Sequence, residues 1–296
     1  MQALIDGDII RYRCGFAVEH SRYNVYLKGQ EGMGPIYVCQ YKKDIPWWYK
    51  EDPECSIEKE TDIEPLENCL QAVKVTIEAI LKEVGATSYR IFLTGEGNFR
   101  EKIAVTSVYK GNRDPLYKPR YYKEIKEYLI KQWKAEVING MEADDFLGIE
   151  QYGDYVATRE LCSGGGEGWD RVSVQEGVDT VICSIDKDMD QIPGHHYNFV
   201  KKEKYWIDED VAIRNFYLQL LSGDPVDNIQ GIKGMGPRGA EKTLAGCRTE
   251  EEYYTKATAA YGVAYGDKGE EVLNEMAQLI WIRREKDKEY VAYNKR

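Results

Sequence analysis

Histidine is nearly missing from this chain. Its 296 residues hold three, His20, His195 and His196, so a mechanism built on several histidines is excluded. The adjacent pair does not form a ligand site either, because neighbours on a strand face opposite ways. Cysteine is present but unorganised. Seven are scattered at 14, 39, 55, 69, 162, 183 and 247, an odd number with no C-x-x-C, which excludes a disulfide framework or zinc site and points to a reducing compartment. No apolar run is long enough to cross a bilayer and no basic leader opens the sequence. The chain is therefore expected to be soluble and cytoplasmic, with no membrane partner. Positive charge is also short, at 40 Lys and Arg against 51 Asp and Glu for a net −11. That balance excludes a generic coat for nucleic acid. It leaves room for a protein whose acids hold metal ions, since the charge is counted without them.

The chain does have enough apolar residues, 43%, for a substantial core, and its length suits two domains or one large one. Ala3-Leu4-Ile5 reads as a buried strand ending at Asp6-Gly7-Asp8. Residues 23–42 carry two β-rich runs around a glycine turn and read as a hairpin. Residues 43–64, acidic and containing Trp and Pro, read as a surface loop. Leu66, Leu70, Val73, Ile77, Ile80, Leu81 and Val84 keep helical spacing until Gly85. Tyr89–Leu93 is the next strand, and 119–134 and 141–151 are helices. Tyr155–Thr158 is a short strand candidate, Ser163-Gly164-Gly165-Gly166 marks an exposed insertion over 160–178, and Thr180–Ser184 is a strand. Beyond about 207 only helices are expected. The fold class is α/β, a mostly parallel central sheet with helices on both faces, followed by a helical C-terminal region, with domains 1–206 and 207–296.

Acidic residues gather at the ends of these elements: Asp6, then Glu142, Asp144 and Asp145 in M-E-A-D-D, then Asp186 and Asp188 in S-I-D-K-D, then Asp227 in S-G-D-P-V-D-N. Each cluster alone could be an N-cap. Together they have another meaning. Ligands of open α/β sheets sit beyond the carboxyl ends of the strands, and two carboxylates in contact there repel by roughly 4 kcal/mol at an intermediate dielectric. Gathering several calls for a cation, and an all-oxygen ligand set suits Mg²⁺ or Mn²⁺.

The stretch Leu221 to Pro237 is equally informative. Gly231, Gly234 and Gly236 permit a tight turn with bare backbone N–H groups. Pro237 fits the first position of a helix, whose N-terminus favours phosphate, with Arg238 and Lys242 in or near its first turns. Gly234-x-Gly236-x-x-Gly239 lacks the preceding strand of a dinucleotide site, and Glu241 stands where a phosphate loop needs glycine. Carboxylates for metal plus a turn for a phosphate backbone read as a metal-dependent nuclease.

With these residues in view, the chain resembles the 5′→3′ exonuclease and flap endonuclease family, its phage-encoded members especially. L-I-D-G-D, V-Y-K-G-N-R-D, M-E-A-D-D, S-I-D-K-D-M-D-Q-I and S-G-D-P-V-D-N-I-Q-G-I-K-G-M-G are similar to the family's blocks, in order. The resemblance implies a PIN-like nuclease domain with a helix–three-turn–helix module, acting on double-stranded DNA with 5′ ends or flaps, or on RNA–DNA hybrids, in the host cytoplasm if phage-encoded. Two Mg²⁺ ions, with Mn²⁺ as substitute, would be held by Asp6, Glu142 and Asp144, and by Asp145, Asp186, Asp188 and Asp227, with Asp224 nearby. Lys110 would stabilise the scissile phosphate, Arg113 would bind phosphate and Tyr109 would stack on the terminal base. Gly231, Gly234 and Gly236 would grip the duplex backbone with K⁺ at their carbonyls.

One departure stands out. The family usually has an aspartate just after the second strand, where this chain reads Leu93-Thr94-Gly95-Glu96. Either Glu96 replaces it or one ion is held more weakly. Two other readings compete: a catalytically weak DNA-binding member of the same fold, and a haloacid-dehalogenase-like phosphatase with Asp6 as nucleophile.

Overall fold

The computed structural model describes residues 1–114, 117–163 and 171–295. Chain order begins β1 (Gln2–Asp6), α1 (Gly7–Ala17), β2 (Glu19–Leu27), β3 (Tyr37–Cys39), α2 (Trp47–Glu51), β4 (Cys55–Ile63) and α3 (Leu66–Val84). It continues with β5 (Ser88–Asn98), α4 (Phe99–Ile103), α5 (Tyr122–Trp133), β6 (Glu136–Gly140), α6 (Ala143–Ser163), α7 (Arg171–Gly177) and β7 (Thr180–Cys183). The last elements are β8 (Gly194–Asn198), β9 (Glu203–Ile207), α8 (Glu209–Ser222), α9 (Pro237–Thr243), α10 (Glu250–Tyr265) and α11 (Gly269–Ile280). No described helix is long and apolar enough to cross a membrane.

Contacts divide the chain into two compact units, one of Met1–Ile9, Ile77–Tyr117 and Leu129–Arg296, the other of Ile10–Thr76 and Lys118–Tyr128. The division expected at 206/207 is not where the contacts fall. The C-terminal helices belong to the same unit as the main sheet.

That unit holds a six-stranded sheet in the order β6-β5-β1-β7-β8-β9. All neighbours are parallel except β8 and β9, which gives the mostly parallel α/β architecture. β1 reads as a continuous apolar run because β5 and β7 flank it, and Ala3, Leu4 and Ile5 are fully buried. One core packs Leu4, Phe92 and Ile182 against Ala143 and Leu147 of α6. A second joins Phe216, Tyr217 and Leu220 of α8 to Ala257 and Tyr261 of α10 and Leu273 and Met276 of α11.

The other unit contains the antiparallel sheet β3-β2-β4. The hairpin expected over 23–42 is the β2–β3 pair. The surface loop expected over 43–64 is replaced by α2 and by β4, which pairs with β2 from Glu19↔Ile63 to Leu27↔Cys55. β4 is held by polar cross-strand pairs such as Arg22 with Glu60 and Ser21 with Thr61, so apolar alternation does not betray it. The strand expected at 155–158 lies inside α6. Of the insertion expected over 160–178, residues 164–170 lie outside the described residues, and its flanks are helical in α6 and α7.

Gly7 lets β1 turn directly into α1 beside β5. A Cβ there would come within 2.6 Å of the Phe92 carbonyl oxygen and 2.8 Å of Leu93 Cδ2. Gly7→Ala is therefore expected to destabilise the fold by about 1–3 kcal/mol. Gly153→Ala, in α6 with nothing within 4 Å, should stabilise it by about 0.5–1 kcal/mol. Urea unfolding of both variants checks the pair. A neutral Gly7→Ala would show that the junction is looser than described.

Candidate metal and phosphate site

The carboxyl ends of β1 and β7 bring the first acids together. Asp6 is 2% exposed. Its Oδ1 accepts the Ile9 amide of α1 at 3.0 Å and its Oδ2 accepts the Ser184 hydroxyl at 2.8 Å. Ser184 Oγ accepts in turn from the Asp186 amide at 3.1 Å, and Asp186 Oδ1 accepts from the Asp188 amide at 2.9 Å. This relay fixes the loop after β7 against the end of β1.

Burial, then repulsion from Asp8, raises Asp6 to about 7. Burial, then Asp186 and Asp224, raises Asp188 to about 8. Asp186 is also raised, by burial and by Asp227 and Asp224. Asp144 stands well above the ordinary carboxylate value through burial and the charges of Asp6, Asp186 and Glu142. Acids from four separated segments thus press on one another.

Glu142 behaves oppositely. Burial pushes it up, but Lys110 and Arg100 outweigh burial and leave it lowered. Lys110 Nζ donates to its Oε1. The Tyr109 hydroxyl lies 2.9 Å from both Glu142 Oε2 and Asp227 Oδ2, and its single proton serves one at a time. Arg113 donates to Asp227 Oδ1, and Lys110 lies 3.5 Å from Asp227 Oδ2. The basic loop is locked onto the 225–228 turn. Lys110 N donates to the Asp227 carbonyl at 2.9 Å, the Asn112 side-chain amide to the Pro225 carbonyl at 2.7 Å and the Asn228 side-chain amide to the Val108 carbonyl at 2.9 Å. Both Lys110 (φ 55°) and Asn228 (φ 61°) adopt left-handed backbone, an unusual conformation that this mutual docking holds in place.

Two expected roles change. Asp145, expected as a metal ligand, is 0% exposed and turned inward. Arg100 grips it with bonds of 2.6 and 2.8 Å, and its oxygens also accept the Glu142 amide at 3.2 Å and the Arg283 amide at 3.1 Å. Arg100 further donates to the carbonyls of Leu279 and Trp281, each at 2.8 Å. The pair is a buried strut under Glu142, of a kind whose disruption costs about 3–5 kcal/mol. Tyr109, expected to stack on a base, is 8% exposed and sits in the core beside α8, where it orients Glu142 and Asp227.

Sequence reasoning missed Arg100 and Asp8. Arg100 follows the Asn98 cap of α4, and nothing local marks a buried arginine. Asp8 lies in the first turn of α1 and its Oδ2 accepts the Thr94 amide at 2.9 Å. Thr94 Oγ1 in turn accepts from Ala143 N at 3.0 Å. Glu96 is exposed, so the carboxylate nearest the departure at Thr94 comes from Asp8. Charge this close to Asp6 was legible in D-G-D.

Asp224 is 4% exposed and caps its own turn through Val226 N at 2.8 Å. The turn that follows closes tightly, because Gly231 (φ 58°) faces Gly223 so closely that a Cβ would come within 2.4 Å of Gly223 N. Gly234, Gly236, Arg238 and Lys242 are exposed, and Pro237 opens α9 with Gly236 as its cap. His195 and His196 bond to different carbonyls, Gln175 and Ile192.

The donor set fits a divalent cation in chemistry and charge: oxygen ligands, buried and mutually raised. It is not a preformed cage. Among the described residues no three ligating side chains converge on one point, and Lys110 and Arg113 bond to Glu142 and Asp227 instead.

No family model matches the chain. Among curated proteins, the thermostable DNA polymerase I of Thermus thermophilus is 28% identical over 193 residues, 61% of this chain and 20% of the polymerase. The chain thus spans about a fifth of that relative's length. Among solved structures, a bacteriophage T5 flap endonuclease in a pseudo-enzyme–product complex with DNA and metal ions aligns over 94% of this chain and 98% of its own, at 14% identity and a TM-score of 0.46. The T5 5′-exonuclease with bound zinc aligns over 95% and 100%, at 15% identity and a TM-score of 0.42. These neighbours bear the names of the family that the motifs resemble.

Carboxyls held at about 7 and about 8 in the fold, against 3.8 when free, keep protons that the unfolded chain has released. Their contribution favours the fold at low pH and is lost as pH rises through about 7 to 8. Buried His196, held down to about 4, opposes this only below its free value of 6.5. In EDTA, the melting temperature should therefore rise as pH falls from about 8 to about 7, by about 2–4 °C. A flat or inverted slope would show that the acids do not repel as described.

Proposed function

We propose that this chain is a structure-selective 5′→3′ exonuclease and flap endonuclease that hydrolyses phosphodiester bonds of DNA, and of RNA in RNA–DNA hybrids. The observation that carries the reading is the cluster itself: buried, mutually raised carboxylates at the carboxyl edge of a parallel sheet, facing Lys110 and Arg113 on a loop docked to the 225–228 turn. In the first unit, the part within 1–206 would carry the chemistry, and 207–296 would bind the duplex.

Asp6, Glu142, Asp144, Asp186, Asp188 and Asp227 would hold two Mg²⁺ ions, replaceable by Mn²⁺, with Asp224 and Asp8 adding charge beside them. When bound, such ions acidify a water and stabilise the leaving oxygen. The rest falls to the chain. Asp145, held by Arg100, fixes the start of α6 and so aims Glu142 and Asp144. Tyr109 orients Glu142 and Asp227 from beneath. Lys110, which bonds to Glu142, would stabilise the charge on the phosphate undergoing attack, a task for a preorganised cation in a partly buried site. Arg113 binds a neighbouring phosphate. The exposed amides at Gly234 and Gly236, with Arg238 and Lys242, would hold the duplex backbone without reading its sequence, and K⁺ would use carbonyls of that turn. Gly231's carbonyl already accepts the Tyr265 hydroxyl at 2.9 Å.

The weakly catalytic reading is favoured by one observation, Thr94 where the family has an aspartate. Asp8, whose carboxylate accepts the Thr94 amide, weighs against it. The phosphatase reading is disfavoured because it leaves the glycine turn before Pro237, with Gly236 as the cap of α9, without a role.

A duplex with a 5′ single-stranded flap, labelled at either end, tests the proposal in Mg²⁺ and in EDTA. Short 5′ products should appear with metal alone. Asp144→Ala should abolish them, and Lys110→Ala should slow them by about 10²–10³-fold with the fold retained. Binding without products in Mg²⁺ or Mn²⁺, or release from 3′ ends only, would overturn it.

A further inference from the structure

The segment that carries Lys110 and Arg113 has neither helix nor strand to hold it. From Ala104 to Asp114 the backbone forms no repeating ladder, and Tyr109 alone is buried. Val105 and Val108 are 85% and 74% exposed. Burial fixes Tyr109 and leaves the residues leading to it to their hydrogen bonds, so where those donors go decides how the loop is placed. The second half of the loop docks on the 225–228 turn through Lys110 and Asn112. The first half is held from much further away in sequence.

Glu275 of α11 supplies the acceptors. The Val105 and Thr106 amides both donate to its Oε1 at 2.7 Å, and the Thr106 hydroxyl donates to its Oε2 at 2.5 Å. Two successive amides converging on one oxygen favour a negatively charged acceptor. The Ser107 hydroxyl then donates to the Asn228 carbonyl at 2.7 Å. Each of residues 105–107 is therefore tied down before the chain reaches Tyr109 and Lys110. The base of the clamp is firm. Leu273 and Met276, on either side of Glu275, are each 1% exposed. The Leu279 carbonyl, one turn further along α11, accepts Arg100 Nε at 2.8 Å. The same helix thus sets both the strut under Glu142 and the lead-in to Lys110.

We propose that Glu275 is a positioning residue for the cation loop: by clamping residues 105–106 to α11 it delivers Lys110 and Arg113 to the acid cluster. It acts through Lys110 and not on the reacting atoms. Because the ties to the 225–228 turn survive its loss, removing Glu275 costs less than removing Lys110. The consequence for cleavage rests on the proposed function; the clamp itself does not.

The test compares wild type with E275A, E275Q, K110A and E275A/K110A. Glutamine keeps an oxygen for the two amides and an amide group for the Thr106 hydroxyl, and loses only the charge. In hydrogen–deuterium exchange without metal or nucleic acid, the peptide spanning 104–112 should exchange about tenfold faster or more in E275A and near the wild-type rate in E275Q, with the main sheet unchanged. On the labelled 5′ flap in Mg²⁺, E275A should lower kcat by about 10–10²-fold with little change in KM, and E275Q should restore most of it. E275A/K110A should cut no more slowly than K110A, since the two changes remove one function. Thr106→Val, a milder variant that deletes one of the three bonds, should move exchange and kcat the same way by a smaller factor. Unchanged exchange in E275A would overturn the clamp. Faster exchange with undiminished kcat, or a double variant slower than K110A by the full E275A factor, would overturn the positioning role. Wild type that cuts no flap, with the peptide still loosened in E275A, would sink the cleavage reading and leave the clamp standing.

Discussion

Repulsion among buried carboxylates is the constraint around which this molecule is arranged. Asp6, Asp144, Asp186 and Asp188 are all raised, by burial first and then by neighbouring carboxylates. A fold selected for stability alone would not gather them, since an apolar replacement at such positions is commonly neutral or better. Their cost is contained locally. Hydrogen bonds from Ser184 and from the amides of Ile9 and Asp188 hold Asp6 and Asp186, and the cations Lys110 and Arg113 meet Glu142 and Asp227. Beneath them lies the Arg100–Asp145 strut, which sets the start of α6 independently of any ligand.

This division of labour matters for function. Groups meant to meet a substrate must be able to let go of their partners, and groups that aim them must not. In the proposed function Lys110 and Arg113, 26% and 46% exposed, would belong to the first kind. Arg100 and Asp145, at 2% and 0%, belong to the second. Tyr109 sits between the two, with its hydroxyl on the acids and its ring in the core of the C-terminal helices. The docked backbones of the 107–113 loop and the 225–228 turn then couple cation position to the start of the glycine turn.

Much of this was legible in the sequence. A buried strand ending in Asp6, helices of the right period at 66–84 and after Met141, and a glycine turn before Pro237 each follow from local rules, and the structure has them as β1, α3, α6 and the start of α9. What escaped was set by partners distant in sequence. β4 is stabilised by polar pairs along β2. Residues 155–158 are apolar enough for a strand but are carried on as helix by α6. Asp145 is written like its neighbour Asp144, yet helix geometry points the two apart, and only the arrival of Arg100 makes Asp145 structural. Asp8 was overlooked because its partner, the Thr94 amide, lies 86 residues away.

The most direct measurement is calorimetric titration of Mn²⁺ into the protein without nucleic acid, comparing wild type with Asp144→Asn. The account predicts saturable binding by wild type, tighter as pH rises from about 6 to about 8 because metal displaces protons from raised carboxyls, and at least a tenfold loss in Asp144→Asn. An absence of saturable binding at any pH, or equal affinity in the variant, would contradict the claim that these acids are gathered to hold metal.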